Sequence, residues 1–268
     1  MTRLRYGQMK CLLCGRDGEV SREHVIPGWA RRAFNIPGQV TILRGEGEGK
    51  PSTPIDKRPT LSITLDQAVC RRCNSEFLGA LEKAVKPILE PMMLRHEGTT
   101  LDIEQQRLLA TWAVKTDYLL ELAWRQRYPG ARPIEGYAAS EPEWAWLRQH
   151  REPPPRSRVW LGCFDARQTT TMNYEPSGAP VPVPQGEPLN GHLTSFTLGY
   201  VAFQVFSIDF VLAESVGAVQ FQPPDPPPEL AGAILQIWPT RLRPVQWPPA
   251  AFGHDSWNAF VTRGGSLR

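Results

Sequence analysis

The sequence has no run approaching the roughly 20 apolar residues that a membrane-spanning helix needs. A helical membrane protein is therefore not expected. Behind the basic start Met1-Thr2-Arg3-Leu4-Arg5-Tyr6 there is no apolar segment of the kind a secretory signal carries. The expected location is the cytoplasm, where thiols stay reduced. No internal repeat is present, which argues against solenoids and propellers. Charge of one sign is not in large excess either, since 30 Lys/Arg against 27 Asp/Glu leave a net charge of +3. Cysteine is scarce, with five in 268 residues, too few for a dense disulfide framework.

What is present is unevenly placed. Residues 1–100 carry 16 Lys/Arg against 11 Asp/Glu, whereas residues 101–268 carry 14 against 16. A mildly basic front half is what a phosphate-facing surface looks like, and scattered surface arginines give the same count. The apolar fraction of 41% is ordinary for a folded protein.

Along the chain the texture changes twice, giving an α+β reading in three segments. Residues 1–98 read as a small strand-and-helix module. Within it, residues 38–60, with Gly45-Glu46-Gly47-Glu48-Gly49-Lys50-Pro51, have no apolar period and predict a loop. Leu61-Ser62-Ile63-Thr64-Leu65 alternates and predicts a half-buried strand, while Phe77, Leu78, Leu81 and Val85 recur at helical spacing until Pro87. Residues 99–152 read as helical. Asp102 with Gln105 makes a capping box before the stripe Leu108, Leu109, Trp112, Thr116, Leu119, Leu120 and Ala123. Tyr128-Pro129-Gly130 closes that helix, and Ser140 with Glu143 suggests a second cap. Residues 153–268 read as a β-rich region. Strands are expected at Val159-Trp160-Leu161-Gly162-Cys163-Phe164, Met172-Asn173-Tyr174, 193–198, 201–211 and 234–239, with a proline linker at 223–228.

Four of the five cysteines fall in two C-x-x-C pairs, Cys11/Cys14 and Cys70/Cys73. In a reducing compartment such pairs favour zinc, whose soft thiolate ligands sit at about 2.3 Å. The 55 residues between the pairs exceed a compact zinc finger, but closure entropy grows only logarithmically with length, so an insertion between two knuckles is tolerable. Nine residues after Cys14 begins Glu23-His24-Val25-Ile26-Pro27. A lone histidine near a strand is often structural. Here an acid adjoins it, Val25-Ile26 favours extended backbone and Pro27 ends it. Glu23 and His24 would point to opposite strand faces unless a turn brings both toward one phosphate. Asn74 follows Cys73 directly and reads equally as a helix cap or as a ligand facing His24.

The order C-x-x-C, Glu-His-Val-x-Pro, C-x-x-C-Asn resembles the zinc-containing branch of the HNH endonucleases, which share a ββα-metal core. Cys70-Arg71-Arg72-Cys73-Asn74 through Leu81-Glu82 is also similar to uncharacterised bacterial proteins labelled HNH endonucleases. The resemblance covers roughly residues 8–90 and gives the remainder no activity of its own. It implies phosphodiester hydrolysis in nucleic acid, DNA ahead of RNA, with His24 as general base. It implies that Glu23 and Asn74 hold a catalytic Mg²⁺ or Mn²⁺, and that Cys11, Cys14, Cys70 and Cys73 bind a structural zinc. The family's middle Asn has no counterpart in Thr64-Leu65-Asp66-Gln67-Ala68-Val69, where Asp66 is the candidate to orient the histidine. A zinc-stapled nucleic-acid-binding or interaction module without catalysis is the alternative.

Arg71 and Arg72, beside the second pair, are candidates for phosphate contact, with Arg31 and Arg32 a second set. His96, His150, His192 and His254 have no partner at metal spacing and read as surface or packing residues. Trp112, Trp124, Trp144 and Trp146 read as core, and Cys163 as a small buried hydrophobe.

Overall fold

The computed structural model describes residues 9–34, 40–44, 53–58, 63–127, 139–165, 172–221, 228–253 and 256–262. β1 (Met9–Lys10) and β2 (Asp17–Gly18) pair antiparallel around the first C-x-x-C turn. Gly15 in that turn takes φ +65°, a left-handed conformation with low cost only for glycine. β3 (Val20–His24) leads to α1 (Gly28–Phe34), β4 (Val40–Arg44), β5 (Thr53–Arg58) and β6 (Thr64–Cys70). β3 and β6 pair antiparallel, with Val20 opposite Cys70 and His24 opposite Thr64. The expected strand at 61–65 is thus found further on, and residues 61 and 62 lie outside the described set.

Residues 38–60 were expected to be a loop. The described parts are instead the strands β4 and β5, which pair with each other. β4 holds only the brief alternation Val40-Thr41-Ile42 and β5 has none, and their anchor is remote: β4 adds in parallel to β9 (Met172–Val181), with Ile42 opposite Met172. Backbone pairing with a distant sheet leaves little trace in local sequence.

From Cys73 a π-helical turn (Cys73–Leu78) runs into α2 (Gly79–Arg95). This helix passes through Pro87, where the sequence suggested a stop, and through Pro91 as well. A proline inside a helix costs roughly 3 kcal/mol. Burial of Leu81, Val85, Leu89, Met92 and Met93 along one face offsets that cost. His96, left-handed at φ 53°, caps its end.

β7 (Thr99–Leu101) precedes α3 (Ile103–Arg127). The expected capping box is present: Asp102 Oδ1 accepts from the Gln105 N–H at 2.8 Å, and Gln105 Oε1 accepts from the Asp102 N–H at 3.0 Å. α4 (Glu141–His150) carries the second box on Ser140 and Glu143. Tyr128-Pro129-Gly130 lies outside the described residues.

The remainder is β-rich, as expected. β8 (Arg158–Phe164), β9, β10 (Leu189–Leu198) and β11 (Val201–Ser207) precede the short α5 (Phe210–Ser215). β12 (Ile234–Trp238), β13 (Val245–Trp247), β14 (Ala251–Phe252) and α6 (Trp257–Thr262) follow. Sheet order is β12-β8-β11-β10-β9-β4-β5, with β14 parallel to β8. The strand expected over 201–211 ends at Ser207, because Asp209 Oδ1 accepts from the Leu212 N–H and starts α5. Residues 223–227 of the expected proline linker lie outside the described set.

α3 is the axle of the molecule. Every residue from 109 to 121 is buried, and the helix contacts α2 and β6 as well as β8, β11 and β12. Trp112 packs on Phe196 and Phe203 at centroid distances of 6.4 and 5.7 Å. One apolar cluster takes in Leu13 and Val25, Trp112, Phe203 and Trp247, so the core is continuous across the three segments. No helix among the described residues is long and apolar enough to cross a membrane.

Trp112→Ala should lower unfolding free energy by about 3–5 kcal/mol in denaturant titrations. Leu242→Ala, at a position 96% exposed, should leave it within about 0.5 kcal/mol.

Candidate metal centre and strand-end histidine

The β1–β2 turn presents Cys11 and Cys14, and the junction of β6 with the following helix presents Cys70 and Cys73. Their sulfurs all lie within 4.8 Å of one another. Cys14 and Cys70 are 3.9 Å apart, far beyond a disulfide and close to the about 3.8 Å edge of a tetrahedron with 2.3 Å bonds. Backbone bonds fix the two halves together. The Leu12 N–H donates to the Ala68 carbonyl at 3.2 Å, and the Cys70 N–H donates to Cys11 Sγ at 3.3 Å. Burial pushes the Cys11 and Cys73 thiols up. For Cys14 burial acts in the same direction, but the Arg16 N–H and the neighbouring thiols outweigh it and bring the thiol down. Four converging soft donors in a partly buried pocket can hold a metal ion, and the set is compatible with structural zinc.

His24 stands at the other end of the β3–β6 pair, four residues and roughly 13 Å of strand from Val20. It is half-buried, whereas Glu23 is 3% exposed, so the two face opposite ways as alternation requires. Burial, then the nearby Arg31, Arg22 and Lys115 cations, hold the His24 imidazole below its ordinary 6.5, against a smaller opposing effect of Glu82. The shift favours the neutral ring, the form that accepts a proton.

The remaining expected residues fall as follows. Asn74 lies in the π-helical turn. Its NH₂ group donates to Ser21 Oγ at 3.0 Å and to the Arg22 carbonyl at 3.3 Å, while Ser21 Oγ donates to the Val69 carbonyl at 2.9 Å. Asn74 lies inside this turn and not at its cap, which is Arg72. Here it pins β3 two residues before His24. Asp66 is placed opposite Arg22 by the strand irregularity at Ser21/Arg22, and its side chain lies outside the described residues. Arg71 pairs with Glu19 at 2.9 Å and Arg72 with Glu76 at 3.0 Å, all well exposed. Arg31 and Arg32 lie in the last turn of α1, half-buried and exposed respectively. A cleft of about 490 Å³ opens beside Cys14, Cys70 and Cys73, lined by Arg16, Arg71, Arg72 and Arg148 together with the acids Asp17, Glu19 and Glu76.

The Mg²⁺ or Mn²⁺ implied by the resemblance does not fit Glu23 as placed. That carboxylate is enclosed, and the ammonium of Lys115 already lies 3.3 Å from it. Lys115 also donates to Glu82 at 2.9 Å. Among the described residues, the cysteines form the one group of three or more His, Cys, Asp or Glu with converging ligand atoms.

Lys115 and Glu82 had no part in the sequence-based site. The signal was there: a lysine between Trp112 and Thr116 in an apolar stripe must find acids. Two histidines expected at the surface or in packing prove to be partnered. His192 Nε2 lies 3.1 Å from Asp117 Oδ1 and 2.5 Å from Thr194 Oγ1, all buried. Burial alone would lower its imidazole, but the carboxylates of Asp117, Glu121 and Glu143 outweigh this and raise it. His96 Nε2 meets Cys163 Sγ at 3.0 Å, where burial pushes the thiol up to about 12, a protonated and inert form.

Comparison of the chain with family models, curated proteins and solved structures finds no match in any of the three. The site therefore has to be read from its own geometry.

Cys70→Ser should lose bound metal and the cooperative melt together, measured as metal per chain and by circular dichroism. Cys163→Ser should keep the metal. A separate limb concerns His192. With its folded value raised above 6.5, the stabilisation it provides is complete below pH about 6.5 and is lost as pH rises through the raised value. His192→Gln should flatten that alkaline fall in a series of denaturant melts.

Proposed function

We propose that the chain is a zinc-stapled endonuclease that hydrolyses phosphodiester bonds in nucleic acid, DNA being the first substrate to test, with His24 as general base. The observation that carries this reading is the half-buried His24, shifted toward its neutral form, at the free end of an antiparallel pair that runs straight into a helix. That arrangement of two strands and a helix is what the sequence resemblance leads one to look for. In the proposed reaction His24 takes a proton from water, and the water oxygen attacks phosphorus. The bond to the leaving sugar oxygen breaks, and that oxygen takes a proton from solvent. Arg22 and Arg31, both close enough to depress His24, favour negative charge developing there. Zinc on the four thiolates holds β3 and β6 in register and takes no part in the chemistry. No step is assigned to a second metal.

The arginine-lined cleft supports a second reading, a nucleic-acid-binding module without catalysis. Phosphate contacts from Arg16, Arg71, Arg72 and Arg148 need no general base.

Zinc-loaded protein should nick supercoiled plasmid, and His24→Ala should abolish nicking with metal content and melting unchanged. The acid limb of the rate profile should have its midpoint below 6.5, the ordinary histidine value from which His24 is lowered. Retention of DNA at low salt without nicking under any metal condition would replace the first reading by the second. Absence of both would leave only a protein-interaction scaffold.

A further inference from the structure

Lys115 lies midway along α3 with a side chain of zero exposure. An ammonium removed from water is tolerated only where carboxylates take over from the lost hydration. Two do so, and they come from different elements: Glu23 from the end of β3, at 3.3 Å, and Glu82 from α2, at 2.9 Å. The Glu23 side chain is 4% exposed, so water is not an alternative partner for it. Two carboxylates converging from separate elements on one cation is the arrangement that otherwise holds a divalent metal. Mg²⁺ demands oxygen ligands at about 2.1 Å and keeps several of its waters. Here the Lys115 and Glu23 side chains are closed to solvent, Glu82 is only 21% exposed, and an ammonium already sits beside both acids.

We propose that Lys115 fills the cation position between Glu23 and Glu82, so that the acid preceding His24 is closed to Mg²⁺ and Mn²⁺. Lys115 is then a positioning residue. It ties the strand end that carries His24 to α2 and α3, and any hydrolysis by His24 proceeds with zinc alone. Only this last consequence rests on the endonuclease reading. The closure of the site to divalent ions stands on the geometry.

The test uses the zinc-loaded full chain with Mn²⁺ as probe. Calorimetric titration of the wild type should show no Mn²⁺ binding that Glu23→Gln removes, and its melting temperature should not respond to Mn²⁺. Binding that is lost in Glu23→Gln would overturn the proposal. Lys115→Ala leaves one buried and one half-buried acid facing an open position. It should melt below the wild type and recover by roughly 5 °C at a hundredfold excess of Mn²⁺ over its dissociation constant. The recovery should disappear when Glu23→Gln is added. A folded Lys115→Ala that gains nothing from Mn²⁺ would also overturn the proposal. Should Lys115→Ala not fold, the comparison of wild type with Glu23→Gln decides alone. Plasmid nicking keeps the two ideas separate. Cutting that needs added Mg²⁺ or Mn²⁺ and is lost in Glu23→Gln defeats the lysine proposal and spares the endonuclease reading. No cutting under any condition defeats the reading and leaves the lysine proposal intact.

Discussion

Closure of the chain by four thiols is the constraint on which the rest depends. Cys11 and Cys14 lie before the excursion of residues 15–69, and Cys70 and Cys73 lie after it. Bringing the ends of 55 residues together costs about 3.5 kcal/mol beyond a constant term. The four sulfurs are compatible with structural zinc, and zinc bound there would supply on the order of 10 kcal/mol, more than the closure costs. The register of β3 on β6 follows, and with it the position of His24 at the far end of the pair. The excursion is itself anchored, since β4 joins the edge of the large sheet through β9.

The second constraint is charge held inside α3. Lys115, Asp117 and Glu121 sit within a helix whose neighbouring residues are apolar and buried. Lys115 pairs with Glu23 and Glu82 and Asp117 with His192, all on other elements, while Glu121 pairs with Arg125 one turn along α3 itself. Such pairs contribute little net stability, because desolvation opposes them, but breaking one leaves a buried charge alone. They therefore fix which faces of α3 meet the thiol-stapled module and which meet the sheet. In this way a helix with no contact to solvent near His24 helps to determine what His24 can do.

The histidine and the arginine cleft serve different ends of the same strand pair. His24 lies at one end, while Arg71, Arg72 and the sulfurs lie at the other. On the proposed reading, a nucleic-acid strand meeting both would run along the β3–β6 pair. The surface pairs Arg71–Glu19 and Arg72–Glu76 are solvated, so little holds these guanidinium groups to their acids.

The local chemistry of the chain determined much by itself. Two C-x-x-C pairs announced the four-sulfur group, because thiolates at that spacing share one ion. The Asp102/Gln105 and Ser140/Glu143 pairs announced the starts of α3 and α4, because a cap is satisfied within one turn. Alternation placed Glu23 and His24 on opposite faces. Tertiary structure alone decided the rest. Pro87 and Pro91 stay helical because a buried apolar face outweighs their cost. β4 and β5 are strands because a sheet edge more than a hundred residues away accepts their backbone. Asn74 pins β3, and Lys115 meets Glu23, because elements far apart in sequence pack together. Interactions that close within a turn or a short motif are written locally. Those that pair a group with a distant element are visible only once the chain has folded.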